Sequence, residues 1–132
     1  MAAVKTASTG DKDGNLKAAA AYLPVFWPLI PLFLFLTEKE DKAVRFHSLQ
    51  SIFYGLVVGV VVFVVMIVVW VITMVIGIVT GGLGLILMPL VGIVMLGVML
   101  LLVLSLVFLM WKAYQGEKFM VPVIGPFAEK YV

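Results

Sequence analysis

The chain contains no cysteine, which removes disulfides, thiolate chemistry and cysteine-based metal sites together. Charge is nearly as scarce. Asp, Glu, Lys and Arg make up 12% of the residues against 64% apolar ones, and after Arg45 none of the four appears until Lys112. Proton pumps, ion-coupled transporters and voltage sensors typically carry Asp, Glu, Lys or Arg inside the membrane because their work needs charge there. This interval has none, which argues against ion-driven transport and leaves only pores lined by backbone carbonyls as a transport reading. A net charge of +2 is too small to argue for a nucleic-acid partner. No Ser-His-Asp, HExxH or phosphate-loop pattern occurs, and the seven carboxylates lie in the N-terminal tail, the first loop or the C-terminal segment. The expectation is a non-enzymatic protein with no cofactor and no metal.

What the chain has instead is a surplus of Leu, Val, Ile and Phe that a water-soluble fold of 132 residues is too small to hide. A bilayer as solvent resolves this, since about 20 apolar helical residues cross its hydrocarbon core. Three regions follow. Residues 1–17 read as a flexible polar tail, residues 18–111 as a transmembrane helical domain, and residues 112–132 as an interfacial segment lying along the cytoplasmic headgroups. No cleavage site follows the first apolar segment, so that segment is expected in the mature protein.

Within the apolar region, Ala18 to Leu36 is long enough for one crossing but carries Pro24, Pro28 and Pro31 on one face. A kinked span is expected, with a re-entrant segment as the alternative. Thr37 and Glu40 form a T-x-x-E capping box, so a helix is expected to start at Thr37, with Glu38–Lys42 and Asp41–Arg45 as i, i+4 ion pairs. The boundary aromatics Trp70 and Trp111 place crossings near 47–70 and 91–111. The connector Val71 to Leu90, broken by Thr80-Gly81-Gly82-Leu83-Gly84 and ended by Pro89, reads as overhanging helix ends, an interfacial hairpin or a fourth span. The fold expected is all-α with three transmembrane helices, four being the alternative. With three spans the first loop and C-terminus share the side that holds six of the nine basic residues, which is the cytoplasmic side.

Two surfaces stand out on the second apolar helix. His47, Gln50, Ser51 and Tyr54 recur at i, i+3, i+4 and i+7 and form a polar face that should turn inward, chiefly for interhelical hydrogen bonding. A single histidine is weak evidence for a haem or chlorin ligand. Ser51, Gly55 and Gly59, spaced by four, form a packing seam that admits a close helix, with Gly92, Gly97 and Ser105 as a matching surface on the last span or another subunit as its partner.

Two further stretches, EKEDKAVRFHSLQS and KAYQGEKFMVPVIGPFAEKYV, resemble the paired signatures of a family of small prokaryotic membrane proteins related to the chloroplast inner-envelope import component of the Tic-twenty type. The residues carrying the resemblance are Arg45, Phe46, His47 and Gln50 with Ala113, Tyr114, Gly116 and Pro122. It implies a multi-pass protein of a prokaryotic plasma membrane with a protein-translocation-like role, and it sets the first loop against the C-terminal segment, with Arg45 pairing Glu117 or Glu129. The expected partners are the bilayer and other membrane subunits or further copies of the chain. An accessory subunit of a larger complex and a small-solute channel are the alternatives.

Overall fold

The computed structural model describes residues 12–132, which form five helices: α1 Lys12–Ala20, α2 Leu29–Thr37, α3 Lys42–Val79, α4 Gly84–Tyr114 and α5 Ile124–Glu129. Of the tail expected over 1–17, residues 1–11 lie outside the described residues, and from Lys12 the chain is helical.

The proline-rich segment is not one kinked span. Helix α1 stops at Ala20, and turns occupy 21–28, where Pro24 and Pro28 cannot donate to a helical ladder. Pro31 is tolerated because it is the third residue of α2, where a backbone N–H has no intrahelical acceptor in any case. Nine residues of α2 reach only about 13 Å, too short to cross. Two described helices, α3 and α4, are long and apolar enough to span a membrane.

The start of α3 also differs from expectation. Thr37 ends α2 and its hydroxyl donates back to the Phe33 carbonyl at 2.8 Å. Asp41 takes the capping role, its Oδ1 accepting the N–H groups of Ala43 (2.9 Å) and Val44 (3.2 Å). Two N–H groups on one carboxylate at a helix start outweigh a Thr hydroxyl that already has an acceptor one turn back. Without helix at 38–41 the Glu38–Lys42 pair has no i, i+4 geometry, and Glu38 pairs with Lys17 of α1 instead.

The chain divides into two units, one made of the residues up to Leu56 with Leu104–Val132, the other of Val57–Val103. In the first unit, Ala18, Ala19, Ala21 and Tyr22 pack with Leu34, Val44, Leu109 and Ala113. A second cluster joins Phe46 and Leu49 to Ala128 of α5, with Phe53 edge-on to Phe127. Helix α4 closes at Gly116 (φ 74°), where the Glu117 N–H bonds the Lys112 carbonyl and the Gly116 N–H that of Ala113, the paired bonds of a Schellman cap.

The second unit is a helical hairpin. Gly81 (φ 63°) and Gly82 (φ 105°) end α3, with Gly82 N–H on the Gly77 carbonyl and Gly81 N–H on that of Ile78, again a Schellman cap. The connector is therefore the ends of two long helices meeting at 80–83, and Pro89 lies inside α4 rather than ending the connector. The helices touch at the turn: a Cβ on Gly84 would lie 2.5 Å from Gly77 Cα. Thr73 and Thr80 satisfy their hydroxyls on the carbonyls of Val69 and Ile76, as isolated hydroxyls do where no water is near. Nearly all the large apolar side chains of this unit are exposed.

Candidate functional site

Four of the five consecutive positions 47–51 in the first turns of α3 are buried polar residues: His47, Ser48, Gln50 and Ser51. Burying that many polar groups is tolerable only with partners, and the partners come from opposite ends of the chain. Gln50 Nε2 donates to the Tyr22 hydroxyl at 2.8 Å and to the Phe119 carbonyl at 3.0 Å, and its Oε1 accepts the Val121 N–H at 3.2 Å. One amide thus joins the turn after α1 to the segment before α5. The Tyr22 hydroxyl also lies 3.0 Å from His47 Nδ1. Because Gln50 can only donate to that hydroxyl, the Tyr22 proton is free to go to His47, which satisfies all three groups and makes Nδ1 the acceptor. Burial holds the Tyr22 hydroxyl well above its ordinary titration range, so it remains a donor.

Ser51 donates to the Ala21 carbonyl at 2.6 Å, one of the carbonyls freed where α1 ends. The Trp27 indole N–H donates to the Ser51 carbonyl at 3.3 Å. Tyr54, one turn on, shares a hydrogen bond with Ser105 of α4. Among the described residues Ser48 Oγ is the buried side-chain atom without a hydrogen-bond partner.

The polar face His47, Gln50, Ser51, Tyr54 thus lies together, but its main partners are Tyr22 and the 119–121 backbone rather than a neighbouring transmembrane helix, Tyr54 excepted. Sequence reasoning missed Tyr22 and Trp27. The available signal was a lone hydroxyl and a lone indole N–H inside an apolar segment, each of which needs an acceptor or donor when buried.

The small-residue seam is divided. At Gly55 the space is filled by the Trp27 ring, whose Cε2 and Cζ2 would lie 2.4 Å from an added Cβ, whereas Gly59, Gly92 and Gly97 have no atom within 4 Å of theirs. Ser51 and Gly55 therefore receive the turns after α1 rather than another helix. Arg45 does not bond Glu117 or Glu129. Its guanidinium lies over the Phe35 ring at 4.7 Å, and the two carboxylates pair with Lys112 and Lys118, which are nearer along the chain and cost less ordering to bring together. Lys118 also sits over the Phe46 ring at 4.6 Å.

Phe46 and Ala113 are buried, Tyr114 is exposed at the end of α4, Gly116 caps α4, and the Pro122 carbonyl accepts the Ile124 N–H across Val123. No group of three or more His, Cys, Asp or Glu side chains among the described residues is placed to hold a metal ion. The Gln50 amide thus ties three segments of chain together.

Residues 14–128 match the model of the magnetosome magnetite crystal formation protein family, MamF/MmsF. A UPF0132 membrane protein of Methanocaldococcus jannaschii is 35% identical over 121 residues, covering 90% of this chain and 88% of its own length. A second from the same organism is 30% identical over 124 residues, covering 90% and 70%. One from Archaeoglobus fulgidus is 28% identical over 120 residues, covering 89% and 94%. No solved structure matches the chain. These matches overturn the resemblance to the Tic-twenty type and, with it, the translocation-like role. That resemblance rested on short stretches where helices meet the membrane boundary, and boundary aromatics, capping glycines and lysines recur there for physical reasons shared by unrelated membrane proteins.

Proposed function

The chain belongs to the magnetosome magnetite crystal formation protein family, MamF/MmsF, with archaeal membrane proteins among its relatives, and from that premise we propose that it is a non-enzymatic component of a membrane assembly. It is an all-α membrane protein, and the reading concerns what its helices are for. The observation that carries it is the bareness of Val57–Val103, where most large apolar side chains are exposed and Gly59, Gly92 and Gly97 have open space over them. Bare helices with small residues admit the close approach of other transmembrane helices.

The topology that goes with this reading has two crossings, α3 and α4. Helices α1 and α2, the first loop and the C-terminal segment then share one side with all eight basic residues among the described ones, which the positive-inside rule makes cytoplasmic. The C-terminal segment lies along that surface, and the clamp on Gln50 holds it to the first turns of α3. The family's description speaks of magnetite crystal formation in magnetosomes and the archaeal relatives' names of membrane proteins. Helix association is the part of any such role that this chain's geometry supports.

Mild-detergent extraction followed by mass measurement tests the reading. A complex larger than one chain is expected, weakened by Gly59→Leu and Gly97→Leu together. Copies of this chain alone favour self-association, and stable foreign subunits favour an accessory role. A monomer at every protein-to-detergent ratio, unchanged by the substitutions, sinks the proposal.

A further inference from the structure

The chain runs down α1, turns at 21–28 and returns along α2, and its polar groups are sorted along that path. At one end stand Lys12 and Lys17 of α1 with Glu38, Lys39 and Asp41 after α2, and the Lys17–Glu38 ion pair ties the two legs together there. From Ala18 to Leu36 no Asp, Glu, Lys or Arg occurs. The legs meet through small residues, Ala18 and Ala19 clustering with Leu34. The turn leaves large apolar side chains bare, Val25 at 77% and Phe26 at 59% exposed, and Leu29, Leu32, Phe33 and Leu36 continue the bare side along α2.

Most of the turn's backbone donors are met within the protein. The N–H groups of Ala21, Tyr22, Leu23, Trp27 and Leu29 bond to carbonyls three or four residues back, and Pro24 and Pro28 carry no donor. Val25 and Phe26, at the tip, are the two positions of 21–29 outside this set. Ser51 of α3 donates to the Ala21 carbonyl, and its own carbonyl accepts the Trp27 indole N–H. The Trp27 ring fills the space over Gly55. These contacts set the turn beside residues 51–55 of α3, about 13 Å of helix beyond Lys42. That matches the length of α2, so the turn and the part of α3 it leans on lie equally far from their charged ends. Irregular backbone is tolerated at membrane depth where protein supplies its hydrogen bonds, and Ser51 supplies one here.

The make-up of the bare side separates lipid from the other media. Water is a poor solvent for a contiguous apolar patch of this kind. Helices that receive another transmembrane helix carry small residues or hydrogen-bonding side chains at the contact, as Gly59, Gly92 and Gly97 do elsewhere in the chain. Val25, Phe26, Leu29, Leu32, Phe33 and Leu36 include neither. We propose that the end of α1, the 21–28 turn and α2 form a re-entrant hairpin with its bare side against acyl chains. It enters the bilayer from the side of the Lys17–Glu38 pair, turns less than halfway through a hydrocarbon core of about 30 Å and leaves on the side it entered. The hairpin is independent of the helix association proposed above, because a single chain makes every contact it uses and none of them lies in Val57–Val103.

Single cysteines in this cysteine-free chain test it. Val25→Cys, Leu29→Cys and Lys39→Cys all replace exposed side chains, and each full-length variant is reconstituted in phosphatidylcholine vesicles. Elution as a single species in size exclusion checks folding, and Phe33→Cys stands in for either apolar site if it fails. A membrane-impermeant maleimide should modify Lys39→Cys at least roughly tenfold faster than Val25→Cys or Leu29→Cys, from either side of the bilayer. Nitroxides at 25 and 29 should be relaxed by dissolved oxygen, and one at 39 by a water-soluble nickel chelate. Equal maleimide rates at all three sites place the face in water and overturn the hairpin. Protection of 25 and 29 from both relaxants means a protein cover and overturns the lipid contact. Modification of Val25→Cys only from the side opposite Lys39→Cys means a crossing and overturns re-entry.

Discussion

The Gln50 side-chain amide donates to the Tyr22 hydroxyl at 2.8 Å across 28 residues of chain, and the same amide group brackets Phe119 and Val121 from the other direction. Three segments distant in sequence meet on one buried side chain. Gln50→Ala removes all of these bonds and strands the Val121 N–H and one Tyr22 lone pair, for an expected loss of about 2–4 kcal/mol. Hydrogen exchange should show the 118–123 amides losing protection before those of α3. Tyr22→Phe should cost about 1–3 kcal/mol by orphaning His47 Nδ1 and a Gln50 proton. The double variant should cost less than the sum, because both act through one network. Strict additivity would mean the clamp is not a unit.

Gly55 and Gly59 look alike in sequence and should behave differently. A methyl at Gly55 runs into the Trp27 indole, which is held by its bond to the Ser51 carbonyl. Gly55→Ala is expected to cost about 1–3 kcal/mol and to shift Trp27 emission. Gly59→Ala meets no atom within 4 Å, so it should leave the Tm of the isolated chain within error and show itself only in the assembly.

At the hairpin turn the close neighbour is backbone. A Cβ on Gly84 would sit 2.5 Å from both Cα and N of Gly77, and neither can step aside as a flexible side chain would. Gly84→Ala should therefore splay α3 from α4 at a cost of about 2 kcal/mol or more. Spin labels at Val75→Cys and Leu87→Cys, in a chain with no cysteine of its own, would report the change as a longer or broader distance distribution. An unchanged distribution would refute the close contact.

Asp41 rather than Thr37 starts α3. Asp41→Ala is expected to cost about 1 kcal/mol and to fray Ala43 and Val44, measurable as faster amide exchange there. Thr37→Ala, which loses only a hydroxyl bonded back to Phe33, should cost a few tenths of that cap. The reverse ranking would restore the capping box.

The difference between Thr37 and Asp41 shows how far local reading reaches. The T-x-x-E pattern is genuine, and a helix does begin within five residues of it, but which oxygen caps it depends on where α2 ends, and Thr37 belongs to α2, its hydroxyl already bonded to the Phe33 carbonyl. The glycine turn is the opposite case. Gly81 and Gly82 take positive φ because glycine does so at little steric cost, and the break could be read where it stands. Trp70 marks the end of an expected crossing and not of the helix, which runs on to Val79 as one of the overhanging ends among the connector's readings.

The sequence by itself determined the medium and the elements. A charge-free run of 66 residues from Phe46 to Trp111 has no solvent but lipid or protein, the glycines mark its one sharp turn, and three prolines forbid a straight helix before it. Those are one-dimensional facts, because hydropathy and backbone freedom belong to single residues. Only the tertiary structure decided the partners: Tyr22 for His47 and Gln50, Trp27 for Gly55, Lys112 and Lys118 for Glu117 and Glu129, either of which the resemblance would set against Arg45. A hydrogen bond or ion pair is a choice among many chemically equal groups, and the choice is made by which of them packing brings within 3 Å.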